Sequence, residues 1–445
     1  MSREPNARLK TLIQAAGLSP AQLARALRAL AAEQDLSVSY DYATVRRWLE
    51  GARPRPPAPA LLVECLSRRL GRPVTAQEAG LTHAPAVTVD PAWQADPLRK
   101  LAQLTSAELD PARQRLLGAD GFSLTALAIP DPLPSSAPAD RPAPAGPDGA
   151  HPGSTESDHL HGMALHFNTA AEEYGGEPVR AALAAFLTHH VVPVLHTEKH
   201  ERSRRSVLSA SAQLTILLGL MSADSGHDRT AQHYHHIAAR FAADAGDCTT
   251  LAIALRTMAS HAYELGYHTP TVLHLSEQAA KHASAAPPAV QAYTHANLAV
   301  LQAYYDPRAA LDTLALAERL HARADGPPGP FTAYPVSALY YQRAQTLSIL
   351  GDRSGSVNAL KQSLHMRSPA EHRAAVLTRA RLAAVHMSIG HLEKALFHWQ
   401  AFLTAYPTLH SARATRQLHT LREQLRPFQR HRAARQLLNQ ARLLA

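Results

Sequence analysis

Apolar residues recur along most of this chain at the three- and four-residue spacing that gives an α-helix one buried face, and capping residues mark where helices start and stop. Near the start, Ser19 precedes Pro20 at the first helical position and Gln22 at the third, a capping box that opens one helix over Leu18–Ala24. Asp41 can cap a second helix that runs to Gly51, where a left-handed C-terminal cap belongs. Within it, Val45 and Trp48 stand three apart and pin one face to a small core. Tyr42, Ala43, Thr44, Arg46 and Arg47 are left facing outward. Thr75-Ala76-Gln77-Glu78 repeats the capping-box pattern, so residues 1–83 read as a run of about five short helices.

Beyond residue 158 the pattern is helical almost throughout, and it repeats. Gly226, Gly266, Gly351 and Gly390 each sit between two helices, and a small residue (Gly219, Ala259, Ala344, Ala383) stands seven positions before each. The small residue lets a partner helix approach, and the glycine permits the tight turn between them. A degenerate copy falls over Tyr293–Leu320, with Tyr305-Asp306-Pro307 in place of the glycine turn. Stacked helical hairpins, an α-solenoid, are the expected architecture. Spacings near 40 leave room for longer loops at Pro287-Pro288 and Pro327–Pro330.

Composition adds the joints. With 445 residues the chain exceeds one ordinary core. Residues 130–158 are rich in Pro, Ala, Ser, Gly and Asp with almost no large apolar side chains, which predicts a flexible linker. Residues 84–129 are expected to be a helical connector. Within them Arg113–Ile129 faintly echoes a twin-arginine export signal and is read as an amphipathic helix. No window reaches the roughly 18 apolar residues of a membrane span. The two cysteines, Cys65 and Cys248, fit no metal or redox spacing and suit a reducing cytoplasm. Formal charge is +9, and 1–83 carries 12 Lys or Arg against 7 Asp or Glu, more than half of that excess. A basic balance permits nucleic-acid binding without establishing it.

The segment Thr44–Gly51 resembles the third helix of Cro/CI-type helix-turn-helix domains, and Leu18–Ala24 resembles their second. Arg28–Ser39 adds about a dozen residues between them, which is expected to lengthen the first of these helices and insert a loop. With Arg53–Pro57, the linker and a tetratricopeptide-like C-terminus, the whole is similar to regulators of high-GC Gram-positive bacteria linked to differentiation, secondary metabolism and mobile elements. In architecture it is also similar to peptide-sensing regulators. That resemblance implies an all-α chain, with an N-terminal domain (1–83) that binds duplex DNA and a repeat domain (159–445) that dimerises and senses a peptide or small molecule. Tyr42, Thr44, Arg46, Arg47, Arg53 and Arg55 are the DNA-contact candidates. Arginine can grip guanine O6 and N7 bidentately, for about 1–3 kcal/mol of discrimination. Arg46 and Arg47 point about 100° apart, so one suits a base and the other a phosphate.

On the inner face of the repeats, Arg256, Ser260 and Tyr263 share one helix, Tyr341 and Gln345 another, and Asn297 lies on the degenerate copy. These six are the effector candidates. The final helices, 411–444, are expected to cap the solenoid or to dimerise. The 27 histidines include His189-His190, His196 with His200, and His233 with His235 and His236. No HExxH pattern or nearby cysteine supports a metal site, and solvated helix faces are expected for them. No Walker loop, GxGxxG, nucleophile elbow or paired-carboxylate motif gives an enzyme or cofactor reading support. The alternative is a helical-repeat interaction scaffold without sequence-specific DNA binding.

Overall fold

The computed structural model describes residues 5–33, 36–81, 92–117, 121–130, 152–324, 331 and 333–444; all are helix, turn or irregular, with no strand among the described residues. Four helices form the N-terminal unit: α1 (Ala7–Ala15), α2 (Pro20–Ala32), α3 (Tyr42–Leu49) and α4 (Ala58–Leu70). Ser19 Oγ accepts from Gln22 N at 3.3 Å, and Gln22 Oε1 accepts from Ser19 N at 2.8 Å. Asp41 Oδ1 accepts from Thr44 N at 2.7 Å, starting α3. Val45 and Trp48 enter a core with Leu9, Leu23, Leu27 and Leu62. The insertion lengthens α2 to Ala32 and continues as a loop that returns Tyr40 edge-on to Trp48 at 5.2 Å. The helix expected at Thr75 is only a turn. Thr75 Oγ1 accepts from Glu78 N at 3.1 Å, but Arg72 holds the Glu78 carboxylate at 2.5 Å, which leaves the box half made.

The connector is not a separate unit. Trp93 and the buried face of α5 (Pro97–Leu109) share one core with the first repeat helices, Leu101 and Leu104 lying with Leu183, Tyr234 and Ile237. The amphipathic helix expected over 113–129 stops at Leu117, the end of α6 (Pro111–Leu117). Residues 121–130 form a buried strap with a single 3₁₀ turn. Side chains take its backbone groups in place of helical bonds. Gln232 accepts from Ser123 N at 3.1 Å and donates to Ser123 O at 2.6 Å, while both Glu64 oxygens accept from Leu124 N at 3.2 Å. Glu64 belongs to α4, so the strap docks the N-terminal unit on the repeats.

Of the expected linker, 131–151 lies outside the described residues, as does the Pro327–Pro330 loop. Its last part, 152–158, is helical and starts α7 (Pro152–Tyr174). Glu156 meets His190 at 2.7 Å and Ser157 donates to Ser206 O at 3.3 Å, anchoring those turns. Two helices follow, α8 (Gly176–Phe186) and α9 (Val192–Thr197). The hairpins then stack: α10 (Glu201–Asp224) with α11 (Asp228–Ala245), α12 (Cys248–Glu264) with α13 (Pro270–His282), and α14 (Pro288–Gln302) with α15 (Pro307–His321). They continue as α16 (Val336–Ile349) with α17 (Arg353–His365), α18 (His372–Ser388) with α19 (Leu392–Ala405), and α20 (Ala412–Leu425) with α21 (Arg432–Leu443). All four repeat glycines have φ between 77° and 89°, a conformation disfavoured for residues with a Cβ. In the degenerate copy Asp306 replaces the glycine turn by accepting from Arg308 N and Ala309 N. The expected all-α solenoid is the observed fold.

Two helical stretches, 176–197 and 201–224, are long and apolar enough to cross a membrane, which the reading of the sequence did not register. The second is α10, buried for most of its length among the other repeat helices.

The stack curls until its end meets its beginning. Asp224, at the end of α10, is 2% exposed and accepts from Arg373 of α18 at 3.2 Å and from Ser411 at 2.7 Å. Arg373 also reaches Glu172 of α7 at 2.6 Å, and Arg413 of α20 pairs with Glu264 of α12. Burial pushes the Asp224 carboxyl up, but Arg373, then Arg413, with the Ser411 and Gly176 hydrogen bonds, outweighs it and holds the pKa below the ordinary carboxylate value.

His235 and His236 are buried on α11, not solvated. Burial holds His235 far below the ordinary imidazole pKa and pushes His236 down to about 3. A Cβ on Gly219 would stand 2.3 Å from the His235 ring, so the absent side chain on α10 is what admits it.

Three outcomes follow from this packing. Gly219→Ala should lower unfolding free energy by about 1–3 kcal/mol in a urea titration, through overpacking against His235. Asp224→Ala should cost about 1–3 kcal/mol in the same titration, because it leaves Arg373 with Glu172 alone and removes the acceptor of the buried Gly176 N. Both histidines have depressed folded-state pKa values, so their contribution is whole above pH 6.5 and falls with pH toward 3. For His236, with its folded-state pKa pushed down to about 3, the loss should reach about 2 kcal/mol by pH 5. His236→Gln should therefore flatten the acid-side slope of stability by about one proton.

Candidate functional site

Two surfaces bring together the residues singled out in the sequence. The first is the outer face of α3. Tyr42 is 53% exposed, and Arg46, Arg47, Arg53 and Arg55 are exposed. Thr44 is half-buried, and its hydroxyl is engaged: it donates to Asp41 Oδ1 at 2.6 Å and accepts from Arg47 Nη2 at 3.3 Å. Those Thr44 bonds hold the Asp41 carboxyl below its usual value, so the cap stays charged at neutral pH. Arg46 Nε lies 2.8 Å from Glu50 Oε1, an exposed pair that separates easily. The helix thus presents tyrosine and arginine on one side while Val45 and Trp48 fix the other. The domain's docking side lies elsewhere, at Glu64 and Arg68 of α4 and Glu33 at the end of α2, which Arg68 holds at 2.8 Å.

The second surface is a cavity of about 730 Å³ inside the closed turn of the solenoid. Its wall comes from α7 and from the first helices of successive hairpins, α12, α14, α16, α18 and α20. Of the sequence-derived candidates, Arg256, Tyr263, Tyr341 and Gln345 line it. Arg256 is 8% exposed, stacks over the Tyr293 ring at 3.9 Å and donates to a Tyr293 hydroxyl at 2.9 Å. Burial raises the Tyr263 phenol above its usual pKa, so it remains a hydrogen-bond donor. Its ring lies 6.3 Å from that of Tyr304, which stacks on His268 at 4.3 Å.

Two candidates do not belong to the cavity. Asn297 is 1% exposed, and its amide oxygen accepts from Ser276 Oγ of α13 at 3.1 Å. Losing the glycine turn shifted the register of α14, so Tyr293 takes the inner position. Ser260 is half-buried, and its short side chain does not line the wall that Arg256 and Tyr263 help to form.

The sequence reading missed Arg367, Arg373, Arg381, Arg413 and Arg416, all of which line the cavity. Carrying the Gly266 and Gly351 register to Gly390 lands on Ala380, one residue from Arg381, so that signal was close. Arg413 and Arg416 follow no glycine turn. They reach the cavity only because the solenoid closes, which local periodicity does not encode.

Among known proteins, residues 9–82 match the family described as the SP15 N-terminal domain, a stretch that runs from within α1 past the end of α4. No curated protein matches the chain. A similar solved structure is the crystal structure of Rap protein complexed with competence and sporulation factor. It is 12% identical, with a TM-score of 0.42, over 66% of this chain and 98% of that one.

Proposed function

We propose that this chain is a DNA-binding transcriptional regulator whose repeat domain senses an effector. The observation that carries the reading is the uncovered face of α3. The N-terminal unit docks through Glu64 on α4, which leaves Tyr42, Arg46, Arg47, Arg53 and Arg55 open to a major groove and its flanking phosphates. A small domain of this kind reads one half-site weakly, so the acting species is a homodimer on a two-fold operator. Its place of action is the cytoplasm, where Cys65 and Cys248 remain reduced thiols.

The cavity supplies the sensing half. Its size lies within the roughly 300–1,000 Å³ range of small-ligand sites. The path to the DNA-binding unit is short. Glu264, Gly266 and His268 line the cavity, and the intervening Tyr267 stacks on Phe122 of the strap at 5.5 Å. The strap in turn holds Glu64. A ligand that favours one arrangement of the α12–α13 turn would thereby shift the docking of the DNA-binding unit.

A second reading, an interaction scaffold, draws on Phe397 and Leu443, which are 67% and 87% exposed on the outer repeats. The two readings separate in a gel shift against fragments upstream of the chain's own gene neighbourhood. A regulator gives salt-sensitive duplex binding, and Arg47→Ala weakens it about tenfold or more and relaxes base preference. No duplex binding at low salt by the wild-type chain would leave the scaffold.

A further inference from the structure

The cavity holds more positive charge than its own carboxylates balance. Six arginines and three glutamates line it. Arg367 meets Glu371 at 2.9 Å, Arg373 meets Glu172, and Arg413 pairs with Glu264. Among the described residues, Arg256, Arg381 and Arg416 form no ion pair with any carboxylate. Arg256 is the most telling of the three. It is buried, held by a phenol and an aromatic face, and its Nε has no hydrogen-bond partner. The Nε atoms of Arg367, Arg373 and Arg413 are likewise buried and unpartnered. Arg381 and Arg416 are half-buried, and Arg416 lies within electrostatic reach of Asp228. A buried cation with no carboxylate partner, as Arg256 is, is costly.

The rest of the wall is aromatic. Tyr263, Tyr293, Tyr304, Tyr334 and Tyr341 line it, each offering a ring face and a phenol that can donate to an anionic oxygen. Burial keeps the Tyr263 and Tyr334 phenols protonated.

From this combination we infer that the cavity binds a small phosphorylated molecule carrying an aromatic ring, of nucleotide size, with its phosphates on Arg256, Arg381 and Arg416 and its ring among the tyrosines. One carboxylate would leave two of these charges uncompensated. A terminal phosphate carries about −1.5 to −2 at neutral pH, so a group of two phosphates matches the three arginines, and guanidinium groups bind their oxygens bidentately. The inference rests on reading the cavity as the sensing site, but it is tested without DNA.

The experiment is calorimetric titration of the full chain with ATP, GTP and inorganic pyrophosphate, beside an acidic pentaglutamate peptide. Saturable binding of a nucleotide is expected, weakened by salt and stronger than that of pyrophosphate, which lacks the ring. The double variant Arg381→Gln/Arg416→Gln should lose about tenfold or more in affinity. Its unliganded melting temperature should be unchanged or raised, because the change removes repulsion, whereas two purely structural arginines would lower it. Absence of binding by both nucleotides and pyrophosphate, wild-type affinity in the double variant, or binding of the peptide alone would each overturn the proposal. Nucleotide binding that leaves the gel shift unchanged would uphold this ligand class and remove the sensing reading instead.

Discussion

The buried carboxylate of Asp224 is the joint at which the two ends of the repeat stack meet. Asp224 joins the end of α10 to Arg373, Ser411 and the backbone of Gly176, groups drawn from four separate places in the chain. Stacked hairpins need not close on themselves, and an open curved stack would leave its inner face a groove. Here α18 and α20 come round to face α12 and α14, and the groove becomes a walled cavity. Apolar contacts between neighbouring hairpins would tolerate many curvatures, since each hairpin buries its face only against the next. A buried ion pair gains little net stability over a hydrophobic contact, but it is intolerant of misalignment. It therefore selects one curvature.

The second joint ties that cavity to the N-terminal unit. Residues 121–130 have too little regular structure to satisfy their own backbone, and Ser123, Leu124, Ala126 and Leu127 among them are buried. Gln232 of α11 and Glu64 of α4 do it for them. A segment held by side chains from both units cannot keep its hydrogen bonds if the two move apart. Phe122 adds contact with the repeats, meeting His261 edge-on and stacking on Tyr267.

What the sequence disclosed follows from how local each feature is. The caps at Ser19 and Asp41, the Val45/Trp48 face and the glycine turns depend on residues within one or two helical turns, and they formed as read; the box at Thr75 did not, because Arg72 takes Glu78. The Gly219–His235 contact was half visible: the small residue was noted, but the histidine it admits was assigned to solvent. Composition made 113–129 look amphipathic. Only the distant Gln232 and Glu64 explain why its second half is a strap. The cavity arginines were least legible, since Arg413 and Arg416 acquire meaning only after closure places α20 beside α12. Asn297 failed for the opposite reason, a register carried across a turn that had lost its glycine.

These joints and the cavity charge pull in opposite directions. Asp224, Glu172 and Glu264 draw the two ends of the solenoid together, while Arg256 on α12, Arg381 on α18 and Arg416 on α20 bring like charges to the same space from those ends. Like charges brought to one space oppose closure, and if the cavity binds an anion, stability and function conflict there. A polyanion among the three arginines would convert that repulsion into attraction shared by both ends. Its affinity would then be higher for the closed turn than for a loosened one, which is the differential needed to move a conformational equilibrium. The α12–α13 turn sits at the meeting point of cavity and strap. Tyr267 of that turn stacks on Phe122, and the same strap bonds Glu64 of the unit that carries α3.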